Sequence, residues 1–215
     1  MKKNNFIFKY RDIILNIKND SFISIVSNSN ESIFNTFLNN KEINTISYKD
    51  IFNKEYNDVF EEINAYVKNN NKTKELIKKY NLNNKTISDK VKLNIIMSMI
   101  NNKIIVINNV LNLLDIDDYK IILKALKSYS LKGHTIFNIT NISEETMFGD
   151  KLIVIYNDKL LYYDEVLNVL NNEKIMKRIG LGLPFIVELN KYLMDYGLID
   201  NYYLSNKKLV GALWE

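Results

Sequence analysis

The chain has 215 residues, 47% of them apolar, with 29 Lys and Arg against 25 Asp and Glu for a formal net charge of +4, and no Cys. That is enough for one α/β domain or one domain with a small appendage, and it excludes extensive disorder, disulfides and thiolate metal sites. The positive excess is dispersed, with only short pairs such as Lys78-Lys79 and Lys207-Lys208, so no nucleic-acid partner is expected. No apolar run approaches the roughly 18 residues of a membrane helix. The opening MKKNNFIFKY lacks the apolar core of a signal peptide. Only six Gly and one Pro occur, few for a glycine-rich phosphate loop.

Taken in chain order, short apolar runs alternate with helical patterns, which predicts a mixed α/β sheet. Phe6–Tyr10, Ile13–Ile17 and Phe22–Val26 read as strands, and Glu31–Leu38 as the helix after the third. Tyr56–Val67 and Thr73–Tyr80 read as helices in an Asn- and Lys-rich region. Asp89–Ile100 is a helix with Val91, Ile95, Ile96, Met99 and Ile100 on its apolar side. A strand at Ile104–Ile107, a helix over Asp117–Ser130 and a strand at Thr135–Ile139 come next, then a short helix opened by Ser143-x-x-Thr146. Lys151–Tyr156 and Leu160–Tyr163 form a hairpin turned at Asn157-Asp158, and Asp164–Leu170 and Phe185–Tyr196 are the last clear helices.

Two segments carry most of the functional signal: KIIVINNVLNLLD at 103–115 and GHTIFNITNISEE at 133–145. The first is an apolar strand ending in Asn108-Asn109; the second is one ending in Thr140-Asn141. With the run Glu144-Glu145, Gly149-Asp150-Lys151-Leu152 and the hairpin IVIYNDKLLYYDEVL, their order and spacing resemble the second half of ABC-transporter ATPases. The segment IGLGLPFIVELNKYL at 179–193 is similar to the stretch after the ATPase core in the energy-coupling-factor type of vitamin and metal-ion importers. The resemblance runs in order from about residue 6 to 196. It implies a P-loop NTPase-like ABC ATPase fold over 1–170, a mixed sheet flanked by helices. It also implies a reduced helical subdomain at about 48–100 and a C-terminal helical extension over 171–215.

At the positions that carry chemistry in that family, this chain differs. The phosphate loop G-x-x-x-x-G-K-[ST] uses glycines so that backbone N–H groups point at phosphate, a Lys to neutralise it, and a hydroxyl for Mg²⁺. Along SFISIVSNSNESIF at 21–34, Ser27 and Ser32 replace the glycines, Ile33 the Lys and Phe34 the hydroxyl. The same residues also read as a plain strand-to-helix turn. Asn108 stands where the family has the Mg²⁺-positioning Asp, Asn109 where it has the water-activating Glu, and Asn141 where it has the switch His. An amide has no charge for a hard cation and accepts no proton near neutrality. Both Asn108 and Asn109 also read as caps of a strand end.

The signature motif has its remnant in Ile87-Ser88-Asp89-Lys90, where Ser88 is retained; Ser88 reads equally as a helix cap. Asp115 matches the acidic residue of the family's inter-subunit loop and reads equally as a cap of the next helix. Tyr10 sits where the family stacks an aromatic on adenine, or it fills a sheet edge. The single His134 precedes its strand and is expected to be an exposed loop residue. The family's Mg²⁺-sensing Gln has no counterpart, since the chain contains no Gln.

The resemblance implies a second ABC ATPase subunit and a membrane coupling subunit as partners, and a cytoplasmic place on the inner face of the cell membrane. No cofactor is expected, ATP and Mg²⁺ entering only through residual contacts at Tyr10, Ser27, Asn28, Asn30 and Ser32. Three readings stay open: a catalytically impaired cassette that supports dimer assembly and coupling, a nucleotide-binding ATPase with residual activity, and a repurposed soluble interaction module.

Overall fold

A computed structural model describes residues 5–56 and 58–214. Residues 1–4 of the opening segment, Asn57 within the helix expected over Tyr56–Val67, and residue 215 lie outside the described residues.

Strands β1 (Phe6–Tyr10) and β2 (Ile13–Ile17) pair antiparallel as a separate ribbon. The chain continues through β3 (Phe22–Ser27), α1 (Asn30–Leu38), β4 (Ile43–Ile46), α2 (Tyr48–Asn53), α3 (Val59–Val67), α4 (Asn70–Tyr80) and α5 (Ile87–Asn101). Then come β5 (Ile104–Asn108), α6 (Ile116–Ser130), β6 (Thr135–Ile139), α7 (Ser143–Thr146), β7 (Lys151–Tyr156) and β8 (Lys159–Glu165). Helices α8 (Val166–Leu170), α9 (Glu173–Arg178), α10 (Phe185–Asp195) and α11 (Asn206–Trp214) complete it. The main sheet has the order β4-β5-β6-β3-β7-β8, parallel except for β8.

β3 is central and buried along its whole length, as a parallel strand covered on both faces must be. From it the chain first builds the β4-β5-β6 side and then returns to add β7 and β8 on the other. The order reverses at β3, and ligand sites in such sheets lie beyond the carboxyl ends of the strands at that point.

On one face, α1 turns Ile33, Phe34 and Phe37 inward, and the β1–β2 ribbon adds Phe8, Tyr10 and Ile17. Rings of Phe6, Phe37 and Phe137 interlock, with centroids 5.2 Å apart for Phe6–Phe137 and 5.1 Å for Phe37–Phe137. On the other face α5 and α6 share a core with Phe22, Ile105, Ile107 and Ile136. A third cluster joins Leu152 and Val154 of β7 to α8, α9 and α10.

The hairpin turn at Asn157-Asp158 has positive φ at both residues, 48° and 61°, as a two-residue turn matched to strand twist requires. Gly149 is required by space: a Cβ there would meet Ser24 Oγ at 2.7 Å and the Lys151 carbonyl at 2.9 Å.

Several expectations need correction. α5 has no single apolar side: Leu93, Met97, Lys92, Asn94 and Ser98 are buried as well, while Met99 and Ile100 are only partly so. The cause is its position, packed against α2 and α3 as well as α6 and β4. His134 is half-buried rather than exposed, its ring stacked 3.9 Å from that of Tyr129. β4 lies outside the expected elements, while α2, α9 and α11 fall within the expected helical regions at about 48–100 and 171–215 without having been delimited as separate helices. For α2 the signal was present, since Ser47 and Asp50 form a capping box.

A buried carboxyl lies beside the sheet. Glu145 of α7 is 1% exposed and accepts from Asn138 Nδ2 at 3.3 Å. Burial pushes its pKa up, and the hydrogen bonds from Thr140 and Asn138 offset this only in part. A carboxyl raised on folding contributes favourably below its unfolded value, about 4.3, and that contribution is lost as pH rises through the folded value. Glu145→Gln is therefore expected to raise the melting temperature at pH 8 and to change it little at pH 4. The new amide also brings a donor near Asn138 Oδ1, which is buried without a partner among the described residues. Thermal melts of both proteins at the two pH values check this, and equal shifts at both would contradict it.

Candidate functional site

The carboxyl ends of β3, β5, β6 and β7 converge on one edge, at the point where the strand order reverses. β3 ends at Ser27, and only Asn28 and Ser29 separate it from α1. Ser27 Oγ accepts from the Ser29 N–H at 2.9 Å, and the Ser29 carbonyl accepts from the Ile33 N–H at 3.1 Å, closing the first helical turn. Ile33 and Phe34, at the expected Lys and hydroxyl positions, point into the core with 0% and 4% exposure. The first turn of α1 carries Glu31, so a carboxylate already complements the positive end of that helix.

Four asparagines, from α1, the end of β5 and the segment after β6, meet above this turn. Asn30 Nδ2 donates to Asn141 Oδ1 at 2.6 Å. The Asn141 N–H donates to Asn109 Oδ1 at 3.0 Å, and Asn109 Nδ2 donates to Asn108 Oδ1 at 3.2 Å. Asn108 Nδ2 then donates to Glu31 Oε2 at 3.3 Å. The run of bonds thus starts and ends on α1, at Asn30 and Glu31, and spans the ends of β5 and β6; Asn30 Oδ1 is left buried without a partner among the described residues. Asn109 also holds a left-handed backbone, φ 53°, while its N–H donates to the Ile139 carbonyl at 2.9 Å. Asn tolerates that conformation better than other residues with a Cβ, so this position has a structural job.

Asn28 ties the same edge to the hairpin turn. Its Nδ2 donates to Asn157 Oδ1 at 2.8 Å, and its Oδ1 accepts from the Asn157 N–H at 3.0 Å. Tyr10 is 2% exposed. Its hydroxyl donates to Asp158 Oδ1 at 2.5 Å and lies 3.3 Å from Ser32 Oγ, while Arg11 pairs with Asp158. The ring is enclosed and its polar tip is engaged, so it presents no open face for a base to stack on. Beside Asn108, between α1 and α2, a cavity of about 270 Å³ is lined by Glu31, Phe34, Leu38, Tyr48 and Asp50.

Ser88, expected as the signature remnant, is engaged within the chain. Ser88 is 3% exposed; its Oγ donates to Asp118 Oδ2 at 2.7 Å and accepts from the Asp115 N–H at 3.1 Å. Asp89 closes a capping box with Thr86. Asp115 is the N-cap of α6 but makes no side-chain cap bond. Sequence reasoning missed Lys92, which is 1% exposed and lies 3.0 Å from Asp89 and 2.9 Å from Asp118. Only its i,i+3 spacing from Asp89 was visible in the chain. Among the described residues no group of three or more His, Cys, Asp and Glu could hold a metal.

The central β3, the helix after it, and the convergent strand ends define the class: the fold is that of an ABC-transporter ATPase cassette. The structure of cbiO1 from Clostridium perfringens, part of the ABC transporter complex cbiONQ, matches with a TM-score of 0.61 at 15% identity, over 88% of this chain and 96% of that one. A dimeric ATP-binding cassette bound to ADP and Pi in a post-hydrolysis state matches with a TM-score of 0.57 at 15% identity, over 77% of this chain and 97% of that one. In sequence, the chain is similar to the energy-coupling factor transporter ATP-binding protein EcfA1 of Ureaplasma parvum, 30% identical over 114 residues. That match covers 52% of this chain and 38% of the relative, so the chain aligns with less than half of that relative's length. No family model matches the chain. No helix among the described residues is long and apolar enough to cross a membrane.

Proposed function

We propose that this chain is a catalytically impaired cassette subunit of an energy-coupling-factor type importer. It pairs with a competent ATPase subunit and docks on the membrane coupling subunit at the inner face of the cell membrane. The observation that carries this reading is the run of bonds across the strand ends from Asn30 through Asn141, Asn109 and Asn108 to Glu31. Of these groups Asn30 Oδ1 stays buried without a partner among the described residues. A nucleotide's phosphates would have to break this run and approach a carboxylate with no lysine in the Ile33 position. Asn108 and Asn109 supply neither the charge that places Mg²⁺ nor the base that activates water. The electrostatic terms they replace in a working site contribute several kcal/mol to transition-state stabilisation.

Similarity to energy-coupling factor ATP-binding proteins supports the importer setting. The enclosed Ser88 implies that such a complex also has a weakened second site, because in this fold family a signature motif completes the partner's nucleotide site.

Titration of the purified chain with ATP and Mg²⁺ by calorimetry tests the impairment. Binding is expected to be weaker than about 1 mM, a free energy of less than about 4 kcal/mol; micromolar affinity would overturn the reading in favour of a nucleotide-binding ATPase. Co-purification from membranes with an ATPase subunit tests the setting, and a chain recovered only free of membranes and of any ATPase would favour a repurposed interaction module.

A further inference from the structure

The positive excess of this chain sits in one short stretch. From Lys68 to Lys85 there are six Lys against Glu75 alone. That local excess of five exceeds the +4 of the entire chain, so the remainder is slightly acidic. The charge that reads as dispersed along the sequence is therefore concentrated, and α4 carries most of it. Lys72, Lys74, Lys78 and Lys79 are on the helix, with Lys68 and Lys85 in the turns before and after it. All six are exposed, and none makes an ion pair among the described residues.

The inner side of α4 is committed: Thr73 and Tyr80 are buried, and Leu76 and Ile77 pack on the core. The four Lys of the helix lie on the opposite side, spread over about 160° of arc with Glu75 between them. Side-chain bonds hold the helix in place. Asn69 Oδ1 accepts from the Lys72 N–H at 3.0 Å, Thr73 Oγ1 donates to Asn64 Oδ1 at 3.0 Å, and Lys92 Nζ donates to the Asn81 carbonyl at 3.1 Å. The charge placement works against the helix itself. Lys72 stands in the first turn, at the positive end of the dipole, and Lys74 and Lys78 are like charges four residues apart. Such a face does not serve the helix's own stability, and its complement is a negative surface outside the chain.

The chemistry of the face narrows that complement. It has no Arg for bidentate phosphate contacts, and α4 has no exposed aromatic ring for base stacking, which disfavours nucleic acid. Its outward positions hold only Asn, Lys and Glu, so it lacks the apolar anchor that carries a protein interface. An anionic lipid surface requires neither, only several flexible cationic side chains that reach one plane. We propose that the Lys-rich face of α4 binds a membrane surface containing anionic phospholipid. The inference does not rest on the proposed importer role. Its test uses protein-free vesicles without nucleotide, so its failure would leave that role standing.

The experiment is sedimentation of the purified full chain with vesicles of phosphatidylglycerol and phosphatidylcholine in equal parts, and with vesicles of phosphatidylcholine alone. Binding is expected only to the first, and it should be lost at about 1 M salt, where the screening length is about 3 Å. Each Lys near an anionic surface is expected to strengthen binding about fivefold. Lys74→Glu with Lys78→Glu should therefore weaken binding at least ~25-fold, and Glu75→Lys should strengthen it about fivefold. Lys207→Glu with Lys208→Glu, the same charge change on α11, should have a much smaller effect. All five positions are exposed, and unchanged thermal melts would confirm folding. No binding to the anionic vesicles, equal binding to both vesicle types, or equal losses in the two double variants would overturn the proposal. So would tighter binding of a single-stranded oligonucleotide that Lys74→Glu with Lys78→Glu abolishes, since the face would then belong to nucleic acid.

Discussion

Replacing Lys92 by Met is expected to lower the unfolding free energy by about 3–5 kcal/mol, the loss typical of breaking a buried ion pair from one side. Lys92 is 1% exposed and its ammonium reaches Asp89, Asp118 and the Asn81 carbonyl. Met keeps the shape of the stem, so the loss comes from stranding carboxylates and not from a cavity. Burial acts to raise Asp89, but the hydrogen bonds from Lys92 and Thr86 outweigh it and hold that carboxyl below its usual value. Burial acts to lower Lys92, and Asp118 with Asp89 outweigh it and hold the ammonium above its usual value.

These directions set the signs of the pH dependence. The Asp89 contribution is present above its unfolded value of about 3.9 and is lost as pH falls through the lower folded one. The Lys92 contribution is present below about 10.4 and is lost as pH rises through the higher folded one. The deficit of Lys92→Met is therefore expected to be largest near neutrality and to shrink toward acid pH as the stranded carboxyls protonate. Urea unfolding at pH 7 and at pH 4 measures both. Adding Asp89→Asn and Asp118→Asn to Lys92→Met should recover most of the loss, because neutral groups leave no unpaired buried charge. A loss below about 1 kcal/mol, the range of exposed pairs, would mean that the triad is solvated.

Phe137→Ala is expected to cost about 3–5 kcal/mol, as large aromatic truncations in packed cores do. Phe137 lies fully buried in β6, and its ring meets those of Phe6, Phe8 and Phe37 at centroid distances of 5.2, 6.4 and 5.1 Å. That cluster is the apolar attachment of the β1–β2 ribbon to the main sheet, since the ribbon's ladder bonds are internal and its polar ties are those of Tyr10 and Arg11 to Asp158. The variant should therefore lose amide-exchange protection in 6–17 earlier than in β5 or β6. Phe137→Leu, which refills part of the volume, should lose much less. Uniform loss of protection across the sheet would show that the ribbon is not a separately attached unit.

Much of the element order was legible because its signals are local. The apolar runs at Thr135–Ile139 and Lys151–Tyr156 are long enough to name as strands, and Asn157-Asp158 suits the left-handed turn of the hairpin after them. β4 escaped notice because Ile-Asn-Thr-Ile is short and lies at the sheet edge, where one side has no strand neighbour. α11 escaped because two Lys and Gly211 dilute its helical pattern. The α5 surface was misjudged because periodicity marks one apolar side, whereas burial depends on how many neighbours surround a helix.

By itself the sequence determined that asparagines and serines, Ser27, Asn108, Asn109 and Asn141 among them, stand at the ends of its apolar strands. It determined as well that an apolar α/β sheet would hold them. Only the tertiary structure decided what those amides do. Asn30, Asn108, Asn109 and Asn141 come from positions up to 111 residues apart and bond to one another. Lys92 finds Asp118 only because α5 and α6 pack side by side. The reason is physical: an amide or a charge bonds to whatever the fold brings within about 3 Å. Separation along the chain carries almost no information about that distance.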